Sequence, residues 1–199
     1  MIIRRSTPAD AKAIGEIYAS ARQYMIENGN PNQWNKGTPN EETALNDSRI
    51  GIGYVCEHDG EIVAAFAFCI GREPIYDNIF DGAWLNSEDY AYIHRVAVKK
   101  HGAGIIDYCL SECFKMHQNL KIDTHRDNVP MQRVLKRNGF VECGKVYIED
   151  GDERIAFQKW GCLIKNSTKS MQKQEKCSEI LFSHNTACFY RFCLNATAP

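Results

Sequence analysis

No apolar stretch approaches the roughly 18 residues that a membrane-spanning helix requires, although 44% of the 199 residues are hydrophobic. An excess of either charge is missing too: 24 Lys and Arg stand against 25 Asp and Glu, a net charge of −1. That balance gives no electrostatic case for nucleic acid or an anionic membrane as a partner. The opening MIIRRSTPAD lacks the apolar core of a secretory signal, and no segment repeats. Nine cysteines are present, but their number is odd and their spacing irregular. Cys56, Cys69 and Cys109 fall at apolar positions of predicted strands and a helix, where a reduced thiol serves as a small hydrophobe. Cys188, Cys193 and His184 find no second close pair to complete a tetrahedral metal set. These features predict a soluble protein of the reducing cytoplasm without a bound metal.

The charge is unevenly spread, −4 over residues 1–160 and +3 over 161–199. A mildly acidic body favours a cationic or neutral amine over an anion as ligand. Two segments are therefore expected: one folded domain over 1–160, and an appended, poorly ordered segment over 161–199 that lacks periodicity and carries four cysteines.

Within the first segment, Ile2–Arg5 reads as a strand. Thr7-Pro-Ala-Asp10 is a helix start, with Pro at the first helical position and Asp near the positive end. Ile14, Ile17, Tyr18, Ala21, Tyr24 and Met25 recur at helical spacing. A loop through Trp34 leads to a short helix over 41–47. The runs 53–57 and 62–70 flank His58-Asp-Gly60, a hairpin signal. A loop containing Trp84 follows, then a strand over 90–98, a helix over 105–116, a strand over 120–124 and a helix over 129–137. A last hairpin, 140–147 with 153–159, turns at Asp150-Gly151. The fold class is α/β in the broad sense (α+β), a mixed sheet with helices on its faces.

The informative stretch is Val96-Ala-Val-Lys-Lys-His-Gly-Ala-Gly-Ile-Ile106. A buried strand runs into a glycine-rich turn that opens a helix, where free amides carry partial positive charge and accept a phosphate. Lys99, Lys100 and a protonated His101 add to that charge. A tight turn without a ligand has the same spacing, but the Rossmann third glycine and the Gly-Lys-Ser/Thr of a P-loop are both missing.

Several segments in order resemble the GNAT acetyltransferases, particularly small bacterial members of unassigned substrate. His94-Arg-Val-Ala-Val98 resembles the family's fourth strand, and Lys99-Lys-His-Gly-Ala-Gly104 its phosphate turn. Ile122-Asp-Thr124 with Asp127-Asn128 is similar to the fifth strand and the asparagine after it, and Asn138-Gly-Phe140 to the Gly-Phe that ends the fourth helix. The resemblance runs from Met1 to about Lys159. There are departures: Lys99 replaces an Arg or Gln, the helix after Gly104 is a few residues shorter, and Leu135 stands where many members carry a tyrosine acid.

The resemblance implies a mostly antiparallel sheet splayed between strands four and five, and direct transfer of acetyl from acetyl-CoA to a primary amine of a small molecule or peptide. An acyl-CoA-binding module without turnover is the alternative. It places the cofactor against Val96, Ala97, Val98, Lys99, Lys100, His101, Gly102, Ala103, Gly104, Ile105 and Asn128, although Asn128 suits a helix N-cap as well. His94 is the candidate base and Tyr147 the replacement acid, each also readable as a structural residue. Trp34 and Tyr92 are candidate contacts for the acceptor. His125 and Arg126 are read as loop caps, and Cys143 is not read as a nucleophile. Such a chain acts as a monomer or homodimer.

Overall fold

A computed structural model describes residues 1–161; the predicted appended segment otherwise lies outside the described residues. Seven strands form one sheet: β1 (Ile2–Arg5), β2 (Gly53–His58), β3 (Glu61–Ile70), β4 (Ala91–Val98), β5 (Asn119–His125), β6 (Val141–Tyr147) and β7 (Glu153–Trp160). Their order is β1-β2-β3-β4-β5-β7-β6. Every neighbouring pair is antiparallel except β4–β5, which is parallel. This is the expected mixed, mostly antiparallel sheet.

Period-two alternation assigns the two faces. Val55, Ala65 and Ala97 turn toward α1 (Ala11–Glu27) and α2 (Glu41–Arg49), where they meet Ile14, Ile17, Tyr18 and Ala44. Their neighbours Cys56, Ala64, Phe66 and Val98 turn the other way, onto α3 (Ile105–Met116) and α4 (Val129–Arg137). The short side chains of Ala65 and Ala97 let α1 lie close to the sheet. The β2–β3 turn takes positive φ at both Asp59 and Gly60, the geometry that suits a two-residue hairpin. Thr7 and Asp10 close a reciprocal capping box, but the first turn they cap, Pro8–Asp10, is a 3-10 turn and α1 proper begins at Ala11. A second 3-10 turn, Pro74–Tyr76, lies in the stretch read from sequence as plain loop.

One irregularity places the site. Ala67 of β3 pairs with His94 and Ala65 with Ala97, so Phe66 alone faces both Arg95 and Val96. This is a β-bulge, with Arg95 at φ +56, a conformation that costs a non-glycine residue roughly 1 kcal/mol or more. The Arg95 guanidinium forks onto Asp47 of α2, Nε to Oδ2 at 3.0 Å and Nη2 to Oδ1 at 2.9 Å. The pair holds the left-handed residue in place. On its other edge β4 pairs with β5 only at Ala91, Tyr92 and Ile93. Past Ile93 the two strands part, while β5 stays paired to β7 over its full length. The sheet is split from His94 onward.

Candidate active site

The split is lined by three adjacent cavities with shared walls. The first, of about 610 Å³, runs along Val96–Val98 and the turn from Lys100 to Asp107, and is closed by Ala21, Tyr24 and Met25 of α1 and by Asn128 and Met131 near α4. The second, about 300 Å³, lies at the fork between β4 and β5 and is lined by His94, Arg95, Asp123, Thr124 and Trp34. The third, about 1020 Å³, opens outward between the 32–39 loop and the ends of β5 and β7. Val96, Asn128 and Met131 border the first two cavities; Trp34, Arg95 and Arg154 border the second and third. They form a groove, a junction and a basin in succession.

The groove has the parts an extended, phosphate-bearing ligand needs. Past the bulge, the free edge of β4 offers main-chain groups for strand-like pairing. Gly102 and Gly104 hold φ of +78 and +71, and apart from the adjoining residues no atom lies within 4 Å of where a Cβ would stand on either. Gly104 is the N-cap of α3, so the amides of Ile105, Ile106 and Asp107 have no partner within the helix. A ligand phosphate fits that cup by charge and by room.

The structure places the predicted cofactor residues unevenly. Val96, Ala97, Val98, Lys100, His101, Gly102, Ala103, Gly104, Ile105 and Asn128 all border the groove. Lys99 does not: its amide donates to Val63 O at 2.8 Å and its ammonium pairs with Glu61 on β3, away from the groove. A protonated His101 is also corrected. Its ring stacks on Tyr24 at 3.5 Å between centroids, and burial holds its pKa below the ordinary value. Asn128 is buried and caps α4, Oδ1 accepting from the Met131 amide at 3.2 Å while Nδ2 donates to Gln33 Oε1 at 2.8 Å.

At the junction His94 stands between two carboxylates. Nε2 lies 3.1 Å from Glu73 Oε2, and Nδ1 lies 3.6 Å from Asp123 Oδ1. Asp123 borders the junction and Glu73 does not, so Glu73 backs the ring while Asp123 shares its open side. The Tyr76 hydroxyl, fully buried, donates to Asp123 Oδ1 at 2.7 Å and fixes that carboxylate. Burial pushes the Glu73 carboxyl up, but the hydrogen bond to His94 and the nearby charges of His94 and Arg95 outweigh it, leaving Glu73 below its ordinary value. Burial, then Asp123, push the Tyr76 phenol well above its own. Trp34 stands edge-on to Tyr18 at 5.8 Å and walls both junction and basin. Tyr92 packs on His94 at 5.0 Å and on Tyr76 at 6.4 Å, behind the imidazole and in none of the three cavity walls.

Tyr147 is not brought to this cluster. Strand alternation sends Val146 inward, fully buried, and Tyr147 outward, 42% exposed and edge-on to Phe80 at 5.2 Å. Leu135 has no ionisable group and is fully buried in the core beneath the sheet. His125 is buried at the basin wall, its Nδ1 accepting from the Asp127 amide at 3.2 Å. Cys143 is also buried, with its thiol pushed up to about 11 by burial, which leaves it protonated and inert near neutrality. Sequence reasoning missed Glu73, Tyr76, Asp47 and the role of Asp123. One signal was available: Lys121, Asp123 and His125 alternate along β5, which marks one face of that strand as a polar lining. Among the described residues no group of His, Cys, Asp and Glu is arranged to hold a metal, and no helix is long and apolar enough to cross a membrane.

No family model and no curated protein matches the chain by sequence. Solved structures do match. An acetyltransferase of the GNAT family from Streptococcus agalactiae is 31% identical, with a TM-score of 0.76, over 81% of this chain and 95% of that one. A ribosomal-protein-alanine N-acetyltransferase from Brucella melitensis is 21% identical, TM-score 0.54, over 81% of this chain and all of the other. A protein from Salmonella typhimurium described as an acetyltransferase, solved with its cofactor acetyl-CoA, is 18% identical, TM-score 0.52, over 84% and 98%. The last two speak for the fold alone.

Proposed function

Given that the chain belongs to the GNAT family of acetyltransferases, we propose that it moves the acetyl group of acetyl-CoA to a primary amine by direct attack. The observation that carries this reading is the continuity of groove, junction and basin through shared walls, with His94 at the junction between the other two. The groove residues fit the cofactor by their free strand edge and their anion cup. Val96–Val98 would hold the pantetheine arm by strand-like pairing, and the amides of the turn and the first turn of α3 would hold the pyrophosphate. When bound, acetyl-CoA supplies the activated acyl carbon.

The chain's own residues do the rest. An amine enters through the basin as an ammonium ion and must lose a proton before it can attack. Glu73 holds one ring nitrogen of His94 as a donor, leaving the other free on the Asp123 side to take that proton. Asp123, fixed by Tyr76, then faces the imidazolium. The amine nitrogen forms its bond to the thioester carbonyl carbon, the carbon–sulfur bond breaks with its electron pair leaving on sulfur, and the proton that the nitrogen sheds as the amide forms passes to the thiolate to give the thiol. Fixing both reactants in one split supplies much of the rate by positioning.

Calorimetric titration with acetyl-CoA, followed by thiol release with polyamines, amino acids, aminoglycosides and peptides, tests the proposal. Binding with release of one thiol per acetylated amine is expected. No binding of acetyl-CoA or CoA at hundreds of micromolar would end it. Binding without release from any amine would favour a second reading, an acyl-CoA-binding module, which Leu135 in the core and Tyr147 on the surface support.

A further inference from the structure

The charged groups of the acceptor basin are mostly paired. Arg95 is held by Asp47 and Lys36 by Asp150, while the His125 ring, whose Nδ1 accepts from the Asp127 amide, is not one of these cations. Two cations differ. Arg154, on β7 directly across from His125, is buried with only 6% of its surface exposed, yet borders both the basin and the junction. Among the described residues its one ion pair is Nη2 to Asp152 Oδ2 at 3.1 Å, and its Nη1 has no acceptor at all. A desolvated guanidinium with an unmatched donor edge is costly unless something anionic completes it. Arg126, at the basin rim, is exposed and has no ion pair among the described residues.

Resting on the acetyltransferase reading, we propose that the acceptor is a small amine that also carries a carboxylate, seated by Arg154 with Arg126 at the rim, so that its amino group reaches His94. Arg154 and His94 both border the small junction cavity, which suits an amine and a carboxylate separated by few atoms. The planar fork of arginine matches a planar carboxylate. The local demand runs against the mild acidity of residues 1–160, which by itself points to cationic or neutral amines.

Matched pairs of acceptors test this: amino acids and β-alanine against their C-terminal amides, with the aminoalkylphosphonate of equal length as a third arm. Both kcat/KM and, in the protein without cofactor, direct calorimetric binding are measured. The carboxylate form is expected to exceed its amide at least tenfold, the range of a charge-assisted hydrogen bond. In Arg154→Gln that ratio should fall toward one, and Arg154→Lys should keep part of it. A purely structural role for Arg154 would lower both forms together and leave the ratio unmoved, which overturns the proposal. So would equal use of acid and amide by the unaltered protein, or a preference for the phosphonate. If Arg154→Gln does not fold, the ratios of the unaltered protein and of Arg126→Gln still decide. Failure of acetyl-CoA to bind removes the acetyltransferase reading instead, and acid-over-amide binding to the free protein is scored separately from it.

Discussion

The Asp47–Arg95 pair should couple stability to cofactor affinity. In Asp47→Ala the Arg95 guanidinium loses both hydrogen bonds to the carboxylate, which leaves the β3–β4 pairing on either side to hold its positive φ. Breaking a buried pair by removing one partner costs about 3–5 kcal/mol. The Arg95 side chain keeps 27% exposure and Asp47 only 6%, so solvent recovers part of the loss and about 2–3 kcal/mol is expected. For a body of this size, that lowers the melting midpoint by about 4–12 °C. With the bulge relaxed, the free edge at Val96–Val98 shifts, and the dissociation constant for acetyl-CoA should rise about tenfold or more, near 1.4 kcal/mol. Differential scanning fluorimetry and calorimetric titration read the two effects. The exposed pair Lys99–Glu61 is an internal control: Lys99→Ala should cost less than about 1 kcal/mol and leave affinity alone. An Asp47→Ala variant that melts within about a degree of the parent and binds acetyl-CoA equally well would show that the pair does not hold the bulge.

Four further outcomes are expected. His94→Gln should lower kcat by about 10²- to 10⁴-fold with little change in acetyl-CoA affinity, whereas Tyr147→Phe should leave kcat within about twofold, because that hydroxyl faces Glu153 and solvent; steady-state kinetics separates the two. Gly104→Ala should cost about 1 kcal/mol through its φ alone but weaken CoA binding at least tenfold, because the new methyl stands where the phosphate approaches. Glu73 titrates below its ordinary value, so its contribution is present above the unfolded carboxylate pKa of about 4.3 and is lost as pH falls through the folded value; Glu73→Gln should flatten that acid slope in urea melts. Lys121 is buried over the rings of Trp84 at 4.0 Å and Tyr90 at 3.9 Å, and burial lowers its pKa to about 8. The folded state then binds fewer protons than the unfolded one between pH 8 and about 10.4, so stability should rise with pH across that window, and Lys121→Met should remove the rise.

What sequence could show follows from how local the cause is. The strands and helices were legible because alternation, helical spacing and the Asp-Gly turns are encoded within a few residues. The glycine turn was legible because the helix amides that follow it need no distant partner. Glu73 and Tyr76 were not, since they lie in a stretch without periodicity and meet His94 and Asp123 only through the fold. Asp47 reaches Arg95 from α2, 48 residues away. Tyr147 illustrates a sharper limit: on a strand a one-residue offset exchanges the faces, so Val146 has the inward position that Tyr147 was expected to occupy.

Only three residue pairs, Ala91–Leu120, Tyr92–Lys121 and Ile93–Ile122, stitch the two halves of the sheet together across the β4–β5 seam. Main-chain hydrogen bonding there behaves as a short zip left open past its third tooth. A molecule lying in the gap would serve as the missing stretch of strand, so occupancy and mechanical integrity become one quantity. Amide exchange at residues 96–98 should slow as the gap fills, and the whole body should melt later by an amount set by ligand concentration over its dissociation constant. Cofactor supply would then govern how long the folded chain persists, in addition to how fast it works.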